Sequence, residues 1–315
     1  MRLKHLTIAL VAPVVFSSQA ATEADIFASG KISTDVSLGA LSGKTKERVY
    51  DPDEGGRKIS QLDWKYSNAA ILKGAINWDL MPMVSVGAGG WTTIDSRGGN
   101  MIDRDWVDPR FPGTWTHESK HPNTRLNYAN EFELNVKGWL VNKPGYRLGL
   151  VAGYQESRYS FNSMGGSYIY SEDDGFRNET GAFPDREKMI GYKQHFKMPY
   201  VGLTGSYRYD DFEFGGGFKY SGWVRTSDND EHYARQITFR NKVKKQNYYS
   251  VAANAGYYMT PKAKIYVEGT WNRITNKKGD TSVYDRSDNS YEYVKNIAGI
   301  ENYNFITTAG LKYTF

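Results

Sequence analysis

The 315-residue chain has no cysteine, which removes disulfides, thiolate nucleophiles and cysteine-held metals from consideration. Beyond the first twenty residues it also lacks any apolar run of about 18 residues, so a membrane-spanning helix is not expected. Charge of one sign is scarce as well. Forty basic and 35 acidic side chains leave +5, and removing Arg2 and Lys4 with residues 1–20, which hold no acid, gives 5 − 2 = +3. That excess is too mild to point to nucleic acid.

Residues 1–20 read as a secretory signal: Arg2 and Lys4, then an apolar core from Leu6 to Phe16, then the small-x-small site Ser18-Gln19-Ala20. The exported chain is then a single unit, 21–315. Its 24 Tyr, 14 Phe, 8 Trp and 32 Gly favour strands, while 39% apolar residues would be modest for a water-soluble core of this size. A barrel that turns its apolar face to lipid needs no such core.

Two-residue periodicity supports that architecture. Phe305, Thr307, Ala309, Leu311, Tyr313 and Phe315 share one parity, and Thr308, Gly310, Lys312 and Thr314 the other. The same alternation recurs at Leu72/Gly74/Ile76/Trp78/Leu80, at Phe132/Leu134/Val136/Leu140 opposite Glu131/Glu133/Lys137, and at Phe212/Phe214/Phe218/Tyr220 opposite Glu213/Lys219. Short turns fall at 80–82, 142–145, 210–211 and 260–262, and long polar segments near 42–57, 94–124, 163–186, 225–243 and 276–297. Four turns alternating with five loops predict an all-β, ten-stranded antiparallel transmembrane β-barrel with long extracellular loops, both termini lying on the turn side. Strands of roughly 15–22 residues would exceed the 9–11 needed to cross, and carry the loops clear of the bilayer. An interior filled by side chains disfavours a wide pore.

Residues 117–121, HESKH, match the H-E-x-x-H zinc signature. That signature needs a helix to bring both imidazoles to one ion. Phe111-Pro112-Gly113 precedes it and Pro122 follows it, so a solvated loop is expected instead, with His117, His121 and His195 at the surface. No G-x-S-x-G elbow accompanies Ser119.

Two loops carry unusual acids. In an extended segment Asp103 and Asp105 point to one side, as do Asp230 and His232. A carboxylate beside a His fixes its tautomer and stabilises its protonated form, so a water between that His and a facing carboxylate is a candidate nucleophile. Solvated turns, or a calcium loop built on D-x-D, remain the alternatives from spacing alone.

The stretches LSGKTKERVY (41–50), EGGRKISQLDWKYSNAAILKGAINW (54–78), SRGGNMIDRDW (96–106) and GWVRTSDNDEHY (222–233) resemble the omptin family of enterobacterial outer-membrane proteases. The resemblance covers nearly the whole exported chain. It implies a ten-stranded barrel with a proteolytic groove at its extracellular end, Asp103 paired with Asp105 and Asp230 with His232, and a water activated between His232 and Asp103. It implies cleavage at basic sites, with Glu47 and Asp228 binding a P1 Arg or Lys and His117 and Ile190 further substrate positions. Cationic peptides and proteins with exposed basic sites would be the substrates. No metal or cofactor is implied, but lipopolysaccharide is, as a lipid activator contacted by Tyr154, Glu156, Arg158 and Lys244.

In three places the chain departs from the family pattern: His117 stands where an acid is usual, Arg104 where Gln is usual, and His195 where Arg is common. Ser119 would lie near the site without being the nucleophile. The other readings of the chain are a barrel adhesin or receptor without catalysis, and a small porin.

Overall fold

The computed structural model describes residues 31–95, 97–111 and 113–315; the expected signal segment and its cleavage site lie outside them. The described residues form antiparallel strands without a helix. In order these are β1 (Ile32–Asp51), β2 (Arg57–Met81), β3 (Val84–Thr93), β4 (Arg97–Asp105), β5 (His117–Lys143), β6 (Tyr146–Tyr170), β7 (Glu179–Tyr209), β8 (Phe212–His232), β9 (Ile237–Thr260), β10 (Ala263–Asp285) and β11 (Ser290–Thr314).

Eleven segments make ten staves. β3 pairs with the lower half of β2 and of β5, β4 with their upper halves, so the two are one stave interrupted after Thr93, at residues 94–95. β1 closes the ring by pairing with β2 on one side and β11 on the other, Leu38 lying between Leu72 and Ala309. All neighbouring staves are antiparallel, and the first and last described residues, Lys31 and Phe315, lie at the end of the short turns.

The expected loops are for the most part strand. Apart from the divided stave the strands run from 20 to 31 residues, and the true connections at the far rim are, among the described residues, 52–56, 106–111 with 113–116, 171–178, 233–236 and 286–289. Above the membrane both strand faces meet water or a polar cleft, so their polar residues imitate a loop in the sequence while the ladder continues. Arg240 and Lys242 are among these corrected residues: Arg240 pairs with Ser282, and Lys242 with both Ser227 and Asp280.

Side chains near the turn end divide by environment. Val36, Leu38, Leu134, Leu150, Leu203, Phe214, Val251, Val267 and Leu311 project outward and are exposed, forming an apolar belt for lipid. Inside, ion pairs such as Lys264 with Glu213 at 2.5 Å, Lys73 with Glu268 and Lys219 with Glu133 line a polar cavity of ≈ 400 Å³. Above the belt the interior becomes apolar: Trp64 stacks on Tyr192 with centroids 5.3 Å apart, Phe161 packs on Trp64 at 5.5 Å, and Tyr159 meets Tyr66 and Phe196. With Leu41, Met101, Leu126, Met198 and Ile300, these rings plug the barrel between the cavity and the rim.

Between belt and rim several strands change which parity faces inward. In β8 the even residues Phe212, Phe214 and Phe218 are exposed below, yet the even residues Val224, Thr226, Asp228 and Asp230 are buried above. The reversal falls at register shifts between Ser221 and Arg225. A bulge adds one residue and therefore turns every later side chain to the other face. β2 reverses at Asn68, which takes φ +54° and donates its N–H to Ser42 Oγ at 2.9 Å. β9 reverses near Lys245, at φ +59°.

Trp64 is fully buried at the centre of the plug. Trp64→Ala is expected to lower unfolding stability by about 3–5 kcal/mol, read as the urea midpoint of the refolded barrel. A midpoint unchanged from wild type would show that the plug is dispensable.

Candidate active site

Above the plug, one end of the barrel gathers acids. β4 directs Asp103 and Asp105 inward, because side chains alternate along a strand and these two flank a single residue. Across the β4–β5 ladder Asp103 faces Ser119 and Asp105 faces His117; across β2–β4 they face Leu62 and Ser60. Arg104 alternates outward and pairs with Glu118 at 2.6 Å, so it does not sit between the two carboxylates. Ser60 Oγ donates to Asp103 Oδ1 at 3.4 Å.

The opposite wall is β8, where the bulge has turned Asp228, Asp230 and His232 inward. Asp230 Oδ2 is 2.7 Å from His232 Nε2, and the imidazole stands edge-on to Phe239 with centroids 5.3 Å apart. With Nε2 engaged, Nδ1 is the nitrogen left to the cleft. Asp230 Oδ1 is buried without a hydrogen bond.

Glu47 on β1 and Asp228 form a second acidic pocket. Both are buried, and Asn241 of β9 donates to Glu47 Oε1 at 2.7 Å and to Asp228 Oδ2 at 3.1 Å. Tyr192 Oη donates to the same Asp228 oxygen at 3.0 Å. Burial pushes the Asp228 carboxyl up to about 7, against the hydrogen bonds from Asn241. Burial, then Asp230 and Asp228, holds Glu47 well above the usual carboxylate range. Asp103 is likewise raised by burial and then by Asp105 and Asp230; Asp105 is raised by burial and partly relieved by Ser60, His117 and the rim residue Arg235. The two acid groups therefore feel each other across one cleft.

The remaining sequence candidates divide between that cleft and the outer wall. Ile190 lies opposite His232 in the β7–β8 register and is buried. His117 stands half-buried beside Asp105, with Nδ1 3.0 Å from Thr116 Oγ1 and its ring 5.2 Å from Tyr170. Tyr154, Glu156 and Arg158 project outward from β6 just above the belt. There Glu156 accepts from Tyr154 Oη at 2.9 Å and lies 2.8 Å from His195 Nε2. Lys244 is exposed on β9, beyond β7 and β8. Lys197 and Arg225, which the sequence did not single out, fill the gap: Lys197 pairs in register with both Glu156 and Arg225, and Arg225 with Lys244. Lys197 continues the outward parity of Val201 and Leu203 and could have been found from it, whereas Arg225 faces out only because the β8 bulge reverses the parity.

HESKH is strand, not the solvated loop expected, and it opens β5. Alternation sends His117, Ser119 and His121 inward and Glu118 outward, so the Glu is on the opposite face from both imidazoles. His121 is buried rather than at the surface, against Phe183, with Nδ1 on the Gly165 carbonyl at 2.5 Å and Nε2 2.9 Å from Ser119 Oγ. His195 is half-buried against Glu156. Asn241, Tyr192 and Ser60 were also missed; each is an uncharged residue whose place beside an acid depends on strand register.

Residues 28–315 match the Omptin family model. The chain is 74% identical to the outer membrane protease OmpP of Escherichia coli strain K12 over 315 residues, all of both chains. It is 70% identical over 317 residues, again all of both chains, to protease 7 of the same strain. Among solved structures, that of the outer membrane protease OmpT from Escherichia coli aligns with a TM-score of 0.89 at 72% identity, covering 90% of this chain and 97% of that one.

The strand geometry of HESKH gives a direct expectation: equilibrium dialysis against Zn²⁺ should leave no stoichiometric ion on the protein. Zinc retained one to one, and lost in His121→Ala, would show that the segment rearranges into a metal site.

Proposed function

Because the chain belongs to the omptin family and is an outer-membrane protease, we propose that it cleaves peptide bonds after basic residues with a water activated by His232. The observation that carries this reading is the 2.7 Å contact of Asp230 with His232 Nε2, opposite the Asp103–Asp105 pair. Asp230 fixes the tautomer that leaves Nδ1 as a base and stabilises the imidazolium once it forms.

Water held between Nδ1 and Asp103 loses a proton to His232 as its oxygen attacks the scissile carbonyl carbon. The carboxyl pair retains a proton, since burial raises both acids and Asp105 and Asp230 raise Asp103 further. It hydrogen-bonds to the developing oxyanion. His232 then returns its proton to the amide nitrogen as the C–N bond breaks, giving a carboxylate and a free amine. No metal or cofactor takes part in these steps.

Glu47 and Asp228 take the P1 Arg or Lys by charge-assisted hydrogen bonds. His117 and Ile190 line the P1′ side, where an imidazole in place of an acid relaxes the demand for a second base. Cationic peptides and exposed dibasic sites in proteins are the substrates. On the outer wall Tyr154, Glu156, Arg158 and Lys244 meet lipopolysaccharide phosphates above the lipid belt. With lipopolysaccharide at that height, the cleft faces the extracellular side.

Ser119 and His121 offer a second reading, a serine nucleophile with its base, because their side chains are in hydrogen-bond contact. The chemistry favours His232. His121 is held by a neutral carbonyl, and burial lowers its proton affinity, whereas His232 has a carboxylate to stabilise its charge.

A quenched Arg-Arg peptide should be hydrolysed in the presence of lipopolysaccharide, with EDTA harmless and Asp230→Ala slower by roughly 10²–10⁴-fold in kcat. Ser119→Ala as damaging as Asp230→Ala would shift the mechanism to the serine pair. The raised Glu47 and Asp228 carboxyls must shed protons to meet a P1 cation. KM for P1 Arg should therefore fall as pH rises through about 7, and KM for P1 Ala should not; parallel pH profiles for the two would remove the acidic-pocket reading.

A further inference from the structure

The acids of the Glu47–Asp228 pocket are held by uncharged residues whose hydrogen bonds all run one way. On one side Thr45 Oγ1 donates to Gln194 Oε1 at 2.6 Å, Gln194 Nε2 donates to Tyr192 Oη at 2.7 Å, and Tyr192 donates to Asp228. On the other, Thr281 Oγ1 donates to Asn241 Oδ1 at 2.6 Å. That contact occupies the amide oxygen and supports the orientation the acids require, with the nitrogen toward them. Asn241 then spends both Nδ2 hydrogens on them, one to Glu47 and one to Asp228, while its backbone N–H reaches Asp228 Oδ1 at 2.9 Å. Every residue in both relays is buried. One pocket oxygen, Glu47 Oε2, is buried without a partner.

We propose that Asn241, locked by Thr281, is a specificity-determining residue of the P1 pocket: it shares one amide between two carboxylates, and so lets both serve a single incoming cation through the open Glu47 oxygen. The inference rests on the reading of Glu47 and Asp228 as the P1 acids and adds what keeps them usable.

Two buried carboxylates this near each other hold their protons more tightly, and a protonated pair attracts a cation poorly, so a donor that favours proton release improves the pocket. Asp230 and Asp103 also face Glu47, and Asp230 faces Asp228, which favours retention of the proton, while the Tyr192 hydroxyl opposes it at Asp228. Beside Glu47 in register, Leu62 of β2 and Ile300 of β11 bring no charge. Asn241 is the residue that donates to both acids. Its effect should therefore appear in binding of basic P1 residues and not in the chemical step.

The test compares wild type, Asn241→Ala, the isosteric Asn241→Asp and Thr281→Val on three peptides that differ only at P1, carrying Arg, Lys or Ala, with KM and kcat measured across pH. For Asn241→Ala we expect KM for the Arg and Lys peptides to rise about ten-fold or more, kcat to hold, and the pH at which KM improves to move upward. The Ala peptide should be unaffected. Asn241→Asp, with a third acid and no amide, should be worse on basic peptides. Thr281→Val should act in the same direction, less strongly, and add nothing in the Asn241→Ala background.

Equal losses on all three peptides, a fall in kcat with KM intact, or an unmoved pH inflection would overturn the proposal. If Asn241→Ala does not refold, judged by the heat-dependent gel mobility of the barrel, Thr281→Val carries the same comparison. A wild-type enzyme without preference for Arg or Lys over Ala would instead remove the acidic-pocket reading on which the proposal rests.

Discussion

Lipid offers no hydrogen bonds, so every backbone N–H and C=O that crosses the membrane must find its partner within the protein. Pairing β1 with both β2 and β11 satisfies that demand by leaving the sheet without an edge. The rest of the structure depends on this closure. A ladder that cannot fray can be carried well above the bilayer, and the same continuous strands that bear the apolar belt below bear the cleft above. The site therefore stands on strands, not on loops.

That rigidity permits an arrangement a softer scaffold would relax away. Glu47, Asp103, Asp105, Asp228 and Asp230 share one cleft; burial raises Glu47, Asp103, Asp105 and Asp228 above ordinary carboxylates, and repulsion from neighbouring acids adds to it at Glu47, Asp103 and Asp228. Like charges held close cost stability, and the plug of Trp64, Tyr192, Phe161 and Tyr159 beneath them supplies apolar packing in compensation. In the proposed mechanism the stored cost has a use. A carboxyl that keeps its proton can hydrogen-bond to an oxyanion, and a pair of acids short of partners draws a cation. Around the pocket, Asn241 and Tyr192 moderate the repulsion without neutralising the charge.

Much of this is legible in the amino-acid sequence. The turns at 80–82, 142–145, 210–211 and 260–262 carry short-turn chemistry, and alternation such as Phe212/Phe214/Phe218 against Glu213/Lys219 needs only a lipid face and a wet lumen. The acids are legible for a similar reason: Asp103 with Asp105, and Asp230 with His232, have the i, i+2 spacing that any extended segment turns to one side. The rim is less legible, because strands with water on both faces lose the apolar signal that distinguishes strand from loop. HESKH misleads in that way. Its polarity suggests a solvated loop, while its backbone continues the β5 ladder and buries His121.

The sequence by itself determined the class of fold, the membrane crossing and which residue types would be near one another along each strand, since these follow from local period and composition. Tertiary structure alone decided which way the upper strands face. Continued without interruption, the parity that exposes Phe212 and Phe214 would send Asp228, Asp230 and His232 outward to solvent; the bulge between Ser221 and Arg225 turns them in. A bulge is set by how neighbouring strands twist and register, information that no single strand contains. The partners of the acids, Asn241 from β9 and Tyr192 from β7, were invisible for the same physical reason: a hydrogen bond between staves depends on the closed ring that brings them together.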